Sequence, residues 1–264
     1  MLTLPHLPGA PCWLDVSSPD VDASDAFYGG LFGWRSVSLG PGHRDYRLCR
    51  IGGRTAAGIS HATPDGPAAS WLTYFLVADA EAAAKTVEQA GGAVAVPPRD
   101  IEGQGRMAVC ADPAGARFAV WQPGRNEGVG LVAEPGSLSR VELRTSDPGG
   151  ARSFYRAVFG WSVRDEPVGG TSRPVLFPAG GGAASAMGGI AALDGDDAGG
   201  GSDNGDGGEP YWLPYFEVRA CDASAALAQQ LGGTLRAAAG QGAGRTAFLA
   251  DPFGARFAIT TGSG

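Results

Sequence analysis

Six stretches of this 264-residue chain alternate with a period of two, setting aromatic or charged side chains on one strand face. In "CWLDVSS", residues 12 to 18, Trp13, Asp15 and Ser17 share a face, while Leu14 and Val16 belong to the other. The same phase presents Leu72, Tyr74 and Leu76 from "WLTYFLV" and Arg117, Ala119 and Trp121 from "ARFAVWQ". Ring faces with one carboxylate and one guanidinium suit a flat, partly polar ligand, held by stacking and oriented by a few polar groups. A carboxylate in an otherwise apolar strand is costly to bury alone, so Asp15 should meet Arg117, Tyr74 or a ligand. The pattern returns with more charge as Arg140, Glu142 and Arg144, then Leu213, Tyr215 and Glu217, then Arg256, Ala258 and Thr260. There the carboxylates can act as general acid and base beside arginine anion clamps, or form a self-satisfied salt-bridge network or a domain interface. The candidate catalytic residues are Asp15, Glu142 and Glu217; the candidate ligand-binding residues are Trp13, Leu72, Tyr74, Arg117, Trp121, Arg140, Arg144, Tyr215 and Arg256.

Positioning these faces falls to a repeat that spans nearly the whole chain. "FYGGLFGW" at 27 to 34 returns as "FYRAVFGW" at 154 to 161, Trp71 maps to Trp212, and "DPAGARFAV" maps to "DPFGARFAI". Each octet reads as the end of an amphipathic helix, since Phe27 and Leu31, and Tyr28 and Phe32, share a face and Gly33 can close the last turn. Its aromatics should pack against the outer face of a sheet. A serine of "DVSSPD" is expected to cap the first helix with Pro19 at its first position, and Asp147 before Pro148 does the same for its counterpart. Within each copy the order strand, helix and several short strands occurs twice, which predicts four βαβββ modules. Asp, Pro and Gly of "DPAG" and "DPFG" fit type I turns before the last strands. The expected division is a first domain over 1–122, a linker over 123–137 and a second domain over 138–264. The insertion in the second copy falls in the Gly/Asp-rich loop 193–210, whose acidic spacing does not match a calcium-binding loop and which should be solvated.

Composition sets the wider bounds. With 44% hydrophobic and 18% charged residues the chain reads as soluble and globular, and a net charge of −7 argues against nucleic-acid and anionic-membrane surfaces. Cys12, Cys49, Cys110 and Cys221 have neither disulfide-framework nor metal-finger spacing and read as buried, reduced thiols. No leader or membrane span stands out, so a cytoplasmic location is expected. Nucleophile elbows, phosphate loops and dinucleotide fingerprints are missing from the sequence.

The runs "DVSSPDVDASDAFYGGLFGW", "WLTYFLVADAEAAAKTVEQAGG" and "DPAGARFAVWQ" resemble the vicinal oxygen chelate superfamily, which includes glyoxalase I, extradiol dioxygenases and bleomycin-resistance proteins. The tandem arrangement is similar to two-domain actinobacterial glyoxalase-like proteins, among them a culture-filtrate antigen and proteins labelled hydroxylases. The resemblance implies an α+β fold in which paired βαβββ modules form two cup-shaped, incompletely closed mixed sheets around ligand cavities. It implies that the alternating faces above line those cups. It further implies divalent-metal ligands of the His, Gln or Glu type at positions held here by Trp13, Leu72 and Ala119 and by Arg140, Leu213 and Ala258. Those side chains do not provide such a set, so no cofactor is expected, and glyoxalase and ring-cleaving dioxygenase activities are expected to be absent. The leading expectation is a metal-independent protein that binds a small aromatic or polycyclic metabolite, in the manner of antibiotic-sequestering relatives. The alternative is a metal-free isomerase, cyclase or hydroxylase-like enzyme using the carboxylates for proton transfer. A third reading is an interaction protein whose collapsed cups are filled by their own tryptophans. Expected partners are a small aromatic or hydrophobic molecule and neither nucleic acid nor membrane, in a monomer or homodimer.

Overall fold

A computed structural model describes residues 2–4, 6–63, 68–168, 171–193, 208–240 and 244–262. The expected loop at 193–210 lies outside the described residues over 194–207. The first module is β1 (Pro11–Ser18), α1 (Val21–Phe32), β2 (Arg35–Ser38), β3 (Arg47–Ile51) and β4 (Arg54–His61). The second is β5 (Ser70–Leu76), α2 (Ala80–Gln89), β6 (Ala93–Asp100), β7 (Gly105–Ala111) and β8 (Arg117–Pro123). The third is β9 (Leu138–Thr145), α3 (Pro148–Phe159), β10 (Ser162–Val168), β11 (Thr171–Phe177) and β12 (Gly188–Ala192). The fourth is β13 (Tyr211–Glu217), α4 (Cys221–Gln230), β14 (Thr234–Ala239), β15 (Thr246–Ala250) and β16 (Arg256–Thr260). Two open eight-stranded sheets result, in the orders β2-β3-β4-β1-β5-β8-β7-β6 and β10-β11-β12-β9-β13-β16-β15-β14. Both are mixed, because β1–β4, β5–β8, β9–β12 and β13–β16 run parallel among antiparallel neighbours. This is the α+β architecture of four βαβββ modules that the repeat predicts.

Local chemistry sets the helix ends. Asp20, in extended conformation, caps α1 by accepting from the Ala23 N–H at 2.9 Å. The expected serine cap is thus displaced by one position, and Pro19 precedes the cap. Ser18 is otherwise engaged: its Oγ accepts from the Asp20 N–H and from the Ser24 hydroxyl. A carboxylate at the cap also meets the partial positive charge of the helix start. Asp147 caps α3 through the Gly150 N–H, with Pro148 following as expected. Gly33 and Gly160 close their helices at φ 73° and 68°, a region that favours glycine.

Contacts within the chain gather it into two compact units, each taking modules from both copies of the repeat. One comprises Met1–Trp13, Thr73–Gly128 and Val141–Trp212; the other comprises Leu14–Leu72, Val129–Arg140 and Leu213–Gly264. In the first, the Tyr155 hydroxyl donates to Asp112 Oδ2 at 3.1 Å and accepts from Trp212 Nε1 at 3.0 Å. Asp112 Oδ1 accepts from the backbone of Ala114 and Ala116. The second unit repeats this relay: Tyr28 donates to Asp251 at 3.0 Å and accepts from Trp71 at 3.2 Å, while Asp251 Oδ1 takes the N–H groups of Phe253 and Ala255. The tryptophans that end the octets are also tied down, Trp161 to the Gly9 carbonyl and Trp34 to the Gly136 carbonyl, both at 2.8 Å. The repeated octet is therefore scaffold. Its tyrosine and the DPxG aspartate contributed by the other copy meet inside one buried aromatic core.

Candidate functional site

Strand alternation sorts the candidate residues as follows. Leu14 and Val16 are fully buried, and Asp15, opposite Gly58 on β4, is 7% exposed. The Tyr46 hydroxyl donates to Asp15 Oδ2 at 3.0 Å. It reaches the carboxylate across Gly58, where a Cβ would collide with the hydroxyl and lie 2.5 Å from Cζ. Bare backbone at Gly58 therefore makes room for a phenol edge. Gly58→Ala is expected to destabilise the protein by about 1–3 kcal/mol through overpacking and displacement of Tyr46. Urea-induced unfolding would check this, and an unchanged midpoint would contradict the packing.

In the same unit the Arg140 guanidinium lies 4.0 Å from the centroid of the Tyr215 ring, a cation–π geometry. Glu217 accepts from the Ser139 hydroxyl at 3.1 Å and from the Gly262 N–H. Leu72 on β5 and Arg256 at the start of β16 are half-buried.

In the other unit Trp13, Tyr74 and Trp121 are all buried. Trp121 donates to the Asn126 carbonyl at 2.9 Å, and its indole rests on the bare backbone of Gly105. Arg117, opposite Ala111 at the start of β8, is exposed. Glu142 and Arg144, two apart on β9, form an ion pair at 2.7 Å with side chains 11% exposed. Their neighbours on β12 are Gly189 and Ala191, which add little bulk to that face. The Cys12 thiol donates to the Tyr74 carbonyl at 3.6 Å, and burial pushes its pKa well above the ordinary thiol range. Such a thiol is a packing group and a poor nucleophile. The four cysteines are free and buried.

Three pairings thus emerge: Asp15 with Tyr46, Glu142 with Arg144, and Arg140 with Tyr215. Tyr46 and Gly58 were not among the sequence candidates. The available signal is that Tyr46 sits two residues before Leu48, which is opposite Gly58, so alternation turns its ring toward Asp15. Two open clefts, of about 490 Å³ beside Arg152 and Arg156 and about 210 Å³ beside Asp20 and His61, contain none of the candidate residues.

Metal chemistry needs a converging set of oxygen, nitrogen or thiolate donors. The positions assigned to such ligands by resemblance carry two leucines, two alanines, a tryptophan and a guanidinium. Among the described residues no three His, Cys, Asp or Glu side chains gather so that they could hold an ion. These side chains do not fit the divalent ion of the resembled enzymes. Among the described residues, too, no helix is long and apolar enough to cross a membrane.

Comparison with known proteins agrees with the fold. Residues 12–120 match the Glyoxalase/Bleomycin resistance protein/Dioxygenase superfamily, and residues 140–260 match the Glyoxalase-like domain. Anthracycline biosynthesis protein DauV of Streptomyces sp. (strain C5) is 38% identical, over 96% of this chain and 93% of its own length. Putative glyoxylase CFP32 of Mycobacterium tuberculosis (strain CDC 1551 / Oshkosh) is 35% identical, over 95% of this chain and 94% of its own. The Mn(II)-bound glyoxalase from Novosphingobium aromaticivorans shares the fold at a TM-score of 0.62 with 17% identity, covering 97% of this chain and 83% of that one. With one family model on each copy of a fourfold βαβββ repeat, the chain belongs to the glyoxalase/bleomycin resistance protein/dioxygenase superfamily, as a tandem member related to an anthracycline biosynthesis protein.

Proposed function

We propose that this protein binds a small aromatic or polycyclic metabolite without a metal ion. The observation that carries the reading is the donor set: where the family's enzymes are expected to grip an ion, this chain has Trp13, Leu72 and Ala119, and Arg140, Leu213 and Ala258. Aromatic and apolar walls with a few fixed charges favour stacking and orientation of a flat ligand. Kinship with an anthracycline biosynthesis protein supports a metabolite of fused aromatic rings. Binding is favoured over proton transfer because the carboxylates already have partners: Asp15 holds the Tyr46 hydroxyl, Glu142 holds Arg144, and Glu217 holds Ser139 and the Gly262 N–H.

Titration with 1,8-dihydroxyanthraquinone should quench tryptophan fluorescence saturably, and EDTA should leave the dissociation constant unchanged. Trp13→Leu should weaken binding by about tenfold, the loss expected of one stacked aromatic wall. Absence of saturable binding across a panel of planar polycyclic compounds would refute the reading. A dissociation constant that rises on EDTA treatment and is restored by manganese would refute its metal independence.

A further inference from the structure

We propose that the open cleft of about 490 Å³ beside α3 and β10 binds the oxyanion group, phosphate or carboxylate, of a small organic molecule. Such a site is independent of the aromatic-binding function. Arg152, Ser153 and Arg156 of α3 line the cleft, with Ser162 and Val163 of β10. Arg152 and Arg156 are four residues apart and share a face of a helix that contains no Asp or Glu. Like charges at that spacing repel, so the pair calls for an anion. Arg152 has one in Asp165, whose two oxygens accept from its terminal nitrogens at 3.3 and 2.6 Å. The Arg156 guanidinium is exposed and has no hydrogen-bonded or ionic partner among the described residues. With Asp165 committed to Arg152, these three groups leave one positive charge unbalanced at the cleft.

The first copy of the repeat shows that the scaffold does not need either arginine. By the register of the two octets, Arg152 corresponds to Asp25 and Arg156 to Gly29. Asp25 accepts from the Ser36 hydroxyl and pairs with Arg47, so α1 is tied to its strands through an acid. α1 also closes on a left-handed glycine as α3 does, yet has no cation in its last turn. Ending the helix therefore does not call for Arg156. A guanidinium meets phosphate or carboxylate through paired N–H donors, and Arg152 keeps donors beyond those that hold Asp165. The volume of about 490 Å³ is that of a small-molecule site, and Val163 adds an apolar surface, which suits an anionic group carried on an organic body.

The test is an NMR titration of the ¹⁵N-labelled chain with sodium phosphate and, separately, sodium acetate, at constant ionic strength. Amide shifts over residues 152–163 should move saturably with at least one anion; saturation by phosphate alone assigns a phosphate group, and by acetate alone a carboxylate. Arg156→Gln, at an exposed position, should weaken that binding at least about tenfold, as loss of a charge-assisted contact implies, and leave thermal unfolding unchanged. Arg164→Gln removes the same charge from β10 at an exposed residue that lies over the Phe177 ring, and should leave the affinity close to that of the wild type. Absence of saturable shifts over 152–163 with both anions overturns the site. So does an unchanged affinity in Arg156→Gln, or an equal loss in Arg164→Gln, which would mark diffuse attraction to a charged surface.

Discussion

Asp251→Ala is expected to lower the free energy of unfolding by about 3–5 kcal/mol, and Asp112→Ala by a similar amount. Asp251 is 3% exposed and accepts three hydrogen bonds: two from the backbone of its own turn at 2.9 Å, and one from Tyr28 at 3.0 Å. Alanine would leave those donors buried, each costing about 1–3 kcal/mol before relaxation. Asp251→Asn keeps an acceptor for the turn and should cost less than half as much. The comparison also carries a pH signature. Burial raises the Asp251 carboxyl above its ordinary 3.8, with the hydrogen bonds from Ala255, Phe253 and Tyr28 opposing that shift in part. Its folded-state pKa therefore exceeds the unfolded one, and the associated stability is present at low pH and lost as pH rises through the folded value. The advantage of wild type over Asp251→Asn should shrink on going from acid to neutral pH. Urea-induced unfolding of both proteins on either side of the carboxylate range checks this; a gap that widens with pH would contradict the burial argument.

Trp161→Ala should cost about 3–5 kcal/mol, comparable with other truncations of large buried aromatics. The indole is 2% exposed, stacks on Tyr155 and Phe159 with centroids at 5.0 and 4.9 Å, and meets Phe75 edge-on at 5.0 Å. Its Nε1 donates to the carbonyl of Gly9, which has φ 77° and no room for a side chain against that nitrogen. Truncation removes both the packing and the donor that anchors the start of the chain. Trp161→Phe retains most of the ring contact and should be markedly milder. Thermal unfolding followed by near-UV circular dichroism distinguishes the two variants, and a loss below about 1 kcal/mol for Trp161→Ala would show that the cluster is not the core of its unit.

Much of the fold is legible in the sequence because its signals are local. "CWLDVSS" alternates, "FYGGLFGW" ends on a glycine in the left-handed region, and "DPAG" places its aspartate where the turn's own N–H groups can reach it. The first helix cap shifts from serine to Asp20 because the Ser18 hydroxyl is held by Ser24. The relays are harder to read. A repeated motif looks the same in both copies, so nothing in the sequence says that Tyr28 meets the aspartate of the second copy while Tyr155 meets that of the first. At the candidate site, alternation finds the faces of Asp15 and Glu142 and sets Arg144 beside Glu142, but it does not find Tyr46, the partner of Asp15. The Tyr46 hydroxyl reaches Asp15 only because Gly58 lacks a side chain, which is a property of three strands in register.

The two relays use the same atoms but differ greatly in the chain they enclose: 43 residues separate Asp112 from Tyr155, whereas 223 separate Tyr28 from Asp251. Closing the longer loop costs about 1.5 kcal/mol more in chain entropy, since that cost grows with the logarithm of length. It also imposes an order on biosynthesis. The Asp112–Tyr155 core can assemble once residue 155 has been made, but the other core must wait for Asp251. Until then α1 has Trp34 and Trp71 against it but lacks the Phe216 and Phe257 rings that meet Phe27, Tyr28 and Phe32 in the finished core, and that interval is when its aromatic face is most exposed to aggregation.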